Sequence, residues 1–136
     1  MAKTYQVAAL PVRRNPAGEL QVLLVTSRET RRWVIPKGWP WRDRLDHDAA
    51  AGEAWEEAGV RGQPHHASVG SFTYDKRRHD EVRTLQVNVY LLDVTEEALD
   101  WPEVSQRQRQ WFSPETAAGL VAEPELRALL LALQGT

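Results

Sequence analysis

The sequence contains no cysteine and one methionine among its 136 residues. The missing cysteines exclude a disulfide scaffold, a thiolate zinc site and a cysteine nucleophile together. Long apolar runs are missing too, since no segment approaches the roughly 20 consecutive apolar residues that span a bilayer. The run around Val7 to Leu10 stops at Pro11 and lacks the charged region and cleavage signal of a secretory leader. No membrane association is expected, and a soluble cytoplasmic protein is the default reading. Charge of one sign is also lacking, because 17 Lys plus Arg against 19 Asp plus Glu leave a net charge of -2. That balance argues against coating a polyanion, so no stable nucleic-acid partner is expected. With 42% hydrophobic and 26% charged residues the chain is not of disordered composition. Its length suits one domain over residues 1–136, and nothing signals an oligomeric state.

What is present reads as strands broken by one central helix and closed by helices. Tyr5 to Val12 and Leu20 to Ser27 are apolar and β-prone, and Asn15-Pro16-Ala17-Gly18 supplies turn chemistry between them, which predicts a hairpin. Trp33-Val34-Ile35 is a short strand stopped by Pro36, with loop expected through Pro40. A helix is predicted from near Leu45 to Gly59, capped by Asp46 or Asp48, with Gly52 a defect in its middle. After a polar stretch through His66, Ala67 to Tyr74 and Val82 to Val94 read as strands joined by the charged turn Asp75 to Glu81. Leu85, Val87, Val89 and Leu91 alternate with Thr84, Gln86, Asn88 and Tyr90, the period of a sheet with one buried face. Gln108 to Phe112 fits a further strand, Pro114 to Leu120 a short helix, and Glu123 to Leu133 a helix with Leu126, Leu129, Leu130 and Leu133 on one face. The pattern is that of an α+β or α/β sandwich.

The predicted helix carries Glu53, Glu56 and Glu57, whose spacing of three and four puts three carboxylates on nearly one face. A solvated acidic face is the plain reading of such a triplet. The flanking charges point elsewhere. Arg28 to Arg44 holds six basic and two acidic residues, whereas Asp46 to Glu57 holds five acidic and no basic ones. Carboxylates of this kind suit hard divalent ions, chiefly Mg²⁺ or Mn²⁺, and adjacent Arg and Lys suit the outer oxygens of a phosphate carried by the metal.

The stretch from Gly38 through Val60 resembles the box of the Nudix hydrolase family. Gly38, Glu53, Ala54, Glu56, Glu57, Gly59 and Val60 match in register, while Arg44 stands where the family has Glu and Gly52 where it has Arg. Arg32 to Gly38 before the box, and Gln110-Trp111-Phe112-Ser113 near the end, look like the diphosphoinositol polyphosphate phosphohydrolase or diadenosine polyphosphate hydrolase branch. The resemblance implies the Nudix fold, a mixed β-sheet sandwiched between helices, and metal-dependent hydrolysis of a pyrophosphate bond.

Carried onto matching positions, the resemblance implies Glu53 and Glu57 as ligands of Mg²⁺ (or Mn²⁺), with the Gly38 carbonyl an extra ligand. Glu53 and Glu56 are the catalytic candidates, Glu56 as a ligand or as the base that takes the water proton. Arg28, Arg77 and Arg107 occupy places that face the polyphosphate in the resembling branch, with Lys37, Arg42 or Arg44 adding to them. Arg44 is expected to reach back toward Glu53 or Glu56 in place of the guanidinium missing at Gly52.

The other candidates read more plainly. His65, His66 and His79 lie in polar stretches and read as surface residues, and Trp33, Trp55 and Trp111 as packing on regular elements. Trp39 and Trp41 either stack on a base or inositol ring or pack over the loop. Glu81 or Glu103 is a remote carboxylate able to complete a metal site. The expected substrate is a small polyphosphorylated molecule, either a diphosphoinositol polyphosphate or a dinucleoside polyphosphate. The alternatives are a noncatalytic polyphosphate sensor with a degenerate box, and a nucleotide-sugar or RNA-end pyrophosphohydrolase.

Overall fold

A computed structural model describes residues 4–133. In chain order the elements are β1 (Tyr5–Arg14), β2 (Leu20–Thr26), β3 (Trp33–Val34), β4 (Lys37–Gly38), α1 (Asp46–Ala58), β5 (Val60–Pro64), β6 (Gly70–Arg78), β7 (Glu81–Glu97), β8 (Arg109–Phe112), α2 (Pro114–Leu120) and α3 (Pro124–Ala132). The strands form one sheet whose main path is β3-β2-β1-β7-β5, with β4 on β1, β6 on β7 and β8 on β2. The β1–β7 pair is parallel, Tyr5 opposite Gln86 through Val12 opposite Asp93, and the other pairs are antiparallel. The sheet is therefore mixed. None of the helices among the described residues is long and apolar enough to cross a membrane.

Alternation along β1 explains the layers. Val7 and Ala9 face α1, where they pack with Ala49, Ala50, Ala54 and Ala58. Ala8, Leu10 and Val12 face the other way, onto Ala117, Val121, Leu126 and Leu130 of the α2–α3 side. A strand covered on both faces reads as a continuous apolar run, which is how Val7 to Val12 appears in the sequence. The result is a mixed sheet between helices, as the family resemblance implies. Leu126, Leu130 and Leu133 are buried on the inner side of α3.

The β1–β2 hairpin turns at Gly18, whose φ of 82° suits glycine. The long strand β7 differs from expectation in its second half. Leu85, Val87 and Val89 are buried on one face as predicted, but Tyr90, Leu92 and Val94 pack against the α1 layer. Both faces are thus covered once the strand runs under α1.

Two strands replace expected loop. Lys37 and Gly38 pair with Ala8 and Val7, and Val60 to Pro64 pair with the end of β7. Both are edge segments recruited by a long neighbour, and they are too short or too polar to show a period of their own. The hairpin joining β6 and β7 is tighter than expected, since pairing continues to Arg78 opposite Glu81.

Helix α1 begins without the predicted aspartate cap. Leu45 holds the N-cap position with no side-chain cap hydrogen bond. Asp46 instead accepts a 2.8 Å hydrogen bond from the Tyr5 hydroxyl, tying the helix start to β1. The helix ends where predicted, on Gly59 in the left-handed region at φ 67°.

Candidate active site

The end of α1 and the β4 edge form one wall of a cleft of about 510 Å³. Gly38, Trp41, Glu53 and Glu57 line this wall. Opposite and around them stand Gln6 of β1, Arg28 after β2, Lys37 of β4, Tyr74 and Lys76 of β6, and Glu103 and Arg107 from the segment before β8. Hydrogen bonds fasten that segment. Trp101 Nε1 donates to the Glu57 carbonyl at 3.1 Å, the Glu103 amide donates to the Glu56 carbonyl at 3.0 Å, and Arg107 Nη1 donates to the Thr26 carbonyl at 3.2 Å. The first two satisfy carbonyls in the last turn of α1, which a helix end leaves unpaired.

Glu57 is 6% exposed and is the best shielded of the three glutamates. Burial pushes its carboxyl up to about 8, against the opposing pull of Arg107 and with added repulsion from Glu53. Arg107 lies 3.7 Å from Glu57 Oε1, and at that distance the ion pair does not outweigh desolvation. Glu53 adds to this rise both by its charge and as a hydrogen-bond partner of Glu57. Burial also raises the Glu56 carboxyl, with Glu53 and Glu103 adding to the shift. Lys37 moves the other way: burial lowers its ammonium, Glu57 opposes this, and Lys76 reinforces it.

The donor set fits a hard divalent cation. Two neighbouring carboxylates, one of them buried, are an arrangement that a cation relieves, and Mg²⁺ characteristically takes one or two carboxylates and fills its other positions with water and phosphate. The backbone at Gly38 lies directly against one of them, since a Cβ there would come within 2.5 Å of the Glu53 carboxyl carbon. Among the described residues no group of three His, Cys, Asp or Glu side chains makes a metal cage by itself. Any cation here would complete its coordination with backbone oxygen, water or ligand oxygens.

Of the residues marked in the sequence, Gly38, Glu53, Glu57, Arg28, Lys37 and Arg107 come together around the cleft. Glu56 stands beside them on α1. Arg77 and Arg44 are exposed and lie outside the lining. Strand parity places Lys76, rather than Arg77, on the cleft side of β6 with Tyr74. Arg44 makes no ion pair with Glu53 or Glu56 among the described residues. The donor to Glu53 is Trp41, whose Nε1 lies 2.8 Å from Glu53 Oε2.

The contacts among the cations are equally specific. Lys37 Nζ sits 4.1 Å from the centre of the Tyr74 ring, and the Tyr74 hydroxyl donates to Gln6 Oε1 at 2.8 Å. Lys76 Nζ lies 5.2 Å from the centre of the Trp39 ring, and Arg28 Nη1 donates to Gln106 Oε1 at 3.3 Å. Of the two remote carboxylates, Glu103 joins the cleft, whereas Glu81 lies at the β6–β7 turn. Sequence reasoning missed Lys76, Tyr74 and Gln6, and the alternation of β6 was the one signal that pointed to Lys76. The histidines stay away, His65 paired with Asp93 at 2.8 Å and His66 stacked on His47 at 4.2 Å.

Residues 4–132 match the NUDIX domain family. Nudix hydrolase 21, chloroplastic, of Arabidopsis thaliana is 33% identical over 127 residues, covering 91% of this chain and 63% of the relative. Diphosphoinositol polyphosphate phosphohydrolase 2 of Rattus norvegicus is 37% identical over 102 residues, covering 73% of this chain and 53% of the relative. The chain thus spans between about half and two thirds of the length of these relatives. Among solved structures, a binary complex of the C. elegans Ap4A hydrolase shares the fold with a TM-score of 0.70, at 20% identity, over 98% of this chain and 96% of that one.

Proposed function

The chain belongs to the Nudix family, and from that premise we propose that it is a pyrophosphohydrolase that cleaves a phosphoanhydride bond in a small polyphosphorylated molecule with the help of Mg²⁺ or Mn²⁺. The observation that carries this reading is the Glu53–Glu57 pair facing Arg28, Lys37, Lys76 and Arg107 across one cleft. Carboxylates and cations in one cleft suit a substrate whose negative charge is shared between a metal and basic side chains.

Glu53 and Glu57, with the Gly38 carbonyl, would hold the cation. When bound, such a cation lowers the pKa of water and neutralises charge on a phosphoryl oxygen. The chain's own groups do the rest. Glu56, whose carboxyl is raised by burial and by its acidic neighbours, accepts the proton of the attacking water. Lys37, held over Tyr74, and Lys76, beside Trp39, take oxygens of the phosphate chain and orient the scissile bond. Arg107 keeps Glu57 and Glu103 in place while facing the same cleft.

The likeness to diphosphoinositol polyphosphate phosphohydrolase 2 supports an inositol pyrophosphate as substrate, and a dinucleoside polyphosphate is the other class that the sequence resemblance implies. A panel of inositol pyrophosphates, diadenosine polyphosphates, nucleotide sugars and triphosphate RNA, assayed with Mg²⁺, Mn²⁺ and EDTA, tests both parts. Metal-dependent turnover of one of the first two classes is expected. Binding of all four without hydrolysis would turn the reading toward a noncatalytic sensor.

A further inference from the structure

Gly52 interrupts α1 in the middle, where glycine is among the poorest of helix formers. The space above it is not empty. A Cβ at position 52 would lie 2.7 Å from Trp41 Cζ2, closer than real Cβ atoms come to a neighbour. The indole that fills this space donates from Nε1 to Glu53 Oε2 at 2.8 Å. We infer that Trp41 is the positioning residue of the cation-binding carboxylate Glu53, and that the missing side chain at Gly52 is the gap in which it works. The inference rests on the proposed reading that Glu53 and Glu57 hold a divalent cation.

The chemistry of the donor gives the arrangement its value. An indole N–H donates and accepts nothing, and it carries no charge. It therefore fixes one oxygen of Glu53 while leaving the whole negative charge of the carboxylate for a cation. A guanidinium in the same place would fix the carboxylate equally well but would compete with the cation for its charge. Glu53 needs such fixing, because the Gly38 backbone and the Glu57 carboxyl crowd it from other directions. Outer partners of this kind set the orientation of metal ligands, and losing one typically weakens metal affinity about 10- to 100-fold. The glycine thus serves the site at the expense of the helix.

A purely structural role for Trp41, packing over α1, makes a different prediction. Trp41→Phe keeps most of the packing and deletes the N–H, whereas Gly52→Ala improves the helix and pushes the ring away. Mn²⁺ affinity, measured without substrate from the electron paramagnetic resonance signal of the free ion, should fall about 10-fold or more in Trp41→Phe, with its melting temperature within about 3 °C of wild type. Gly52→Ala should lose a similar factor, and the double variant no more than the weaker single one, because both changes remove the same hydrogen bond. Excess Mn²⁺ should restore Trp41→Phe turnover to within about threefold of wild type, since the site is loosened rather than destroyed. Mn²⁺ affinity within twofold of wild type in Trp41→Phe overturns the role of Trp41, and the same result in Gly52→Ala overturns that of the gap. If the wild-type chain binds no Mn²⁺, the cation reading and this inference fall together.

Discussion

The Arg107 guanidinium stands 3.7 Å from Glu57 Oε1, and both side chains are almost fully buried. The same group donates from Nε to Glu103 Oε1 at 2.7 Å and from Nη1 to the Thr26 carbonyl at 3.2 Å. One side chain thus ties α1, the end of β2 and the segment before β8 together. Arg107→Ala leaves two acids in the cleft without their cation and should destabilise the fold by about 2–3 kcal/mol. Arg28→Ala, at an exposed position, should change stability by less than about 0.5 kcal/mol and raise KM instead. Urea unfolding with steady-state kinetics separates the two. A raised KM with an unchanged midpoint in Arg107→Ala would make that residue a substrate contact alone.

The raised carboxyl of Glu57 makes a pH prediction. In the cation-free protein this carboxyl titrates at about 8, against 4.5 without its surroundings. Between these values the folded state holds a proton that the unfolded chain has released. The contribution of the group is therefore complete below the lower value and is lost as pH rises through the upper one. Melting temperature in EDTA should fall between about pH 5 and pH 8 in wild type, and less steeply in Glu57→Gln. A saturating divalent cation binds the ionised form and should stabilise wild type more at pH 8 than at pH 6. Parallel pH profiles for wild type and Glu57→Gln would contradict this account of the pair.

Strand parity on β6 separates two adjacent cations. Lys76 faces the cleft beside Tyr74, while Arg77 is exposed on the other side. Lys76→Ala should raise KM for a polyphosphate substrate by about tenfold, as expected for loss of one charge-assisted contact, and Arg77→Ala should stay within about twofold. The reverse order of effects would mean that β6 presents its other face to the substrate.

The parts of the fold and site that were legible in the sequence are those with a local signature. The carboxylate triplet sits on the predicted helix because helical spacing alone puts Glu53, Glu56 and Glu57 on nearly one side, and α2 runs from Pro114 to Leu120 as its proline start predicts. Lys37–Gly38 and Val60–Pro64 became strands only because β1 and β7 offered unpaired edges, which no local pattern records. Choosing Lys76 over Arg77 needed the register of the β6–β7 hairpin, which depends on how tightly His79 and Asp80 turn. Gly52 read as a helix defect because its reason, the Trp41 ring, comes from eleven positions away and across the loop. Glu103 lies in an acidic stretch that looks solvated, and a backbone hydrogen bond to Glu56 is what carries it into the site.

The Glu53–Glu57 pair of α1 is proposed to hold a divalent cation that drives hydrolysis of a phosphoanhydride. The most direct measurement is single-turnover hydrolysis of an inositol pyrophosphate and of diadenosine tetraphosphate at saturating Mg²⁺, by wild type and by Glu57→Gln side by side. Wild type should cleave at least one substrate in an EDTA-sensitive way, and Glu57→Gln should be at least about 100-fold slower, in line with loss of a metal ligand. Equal rates in the two proteins, or wild-type cleavage that survives EDTA, would contradict that proposal.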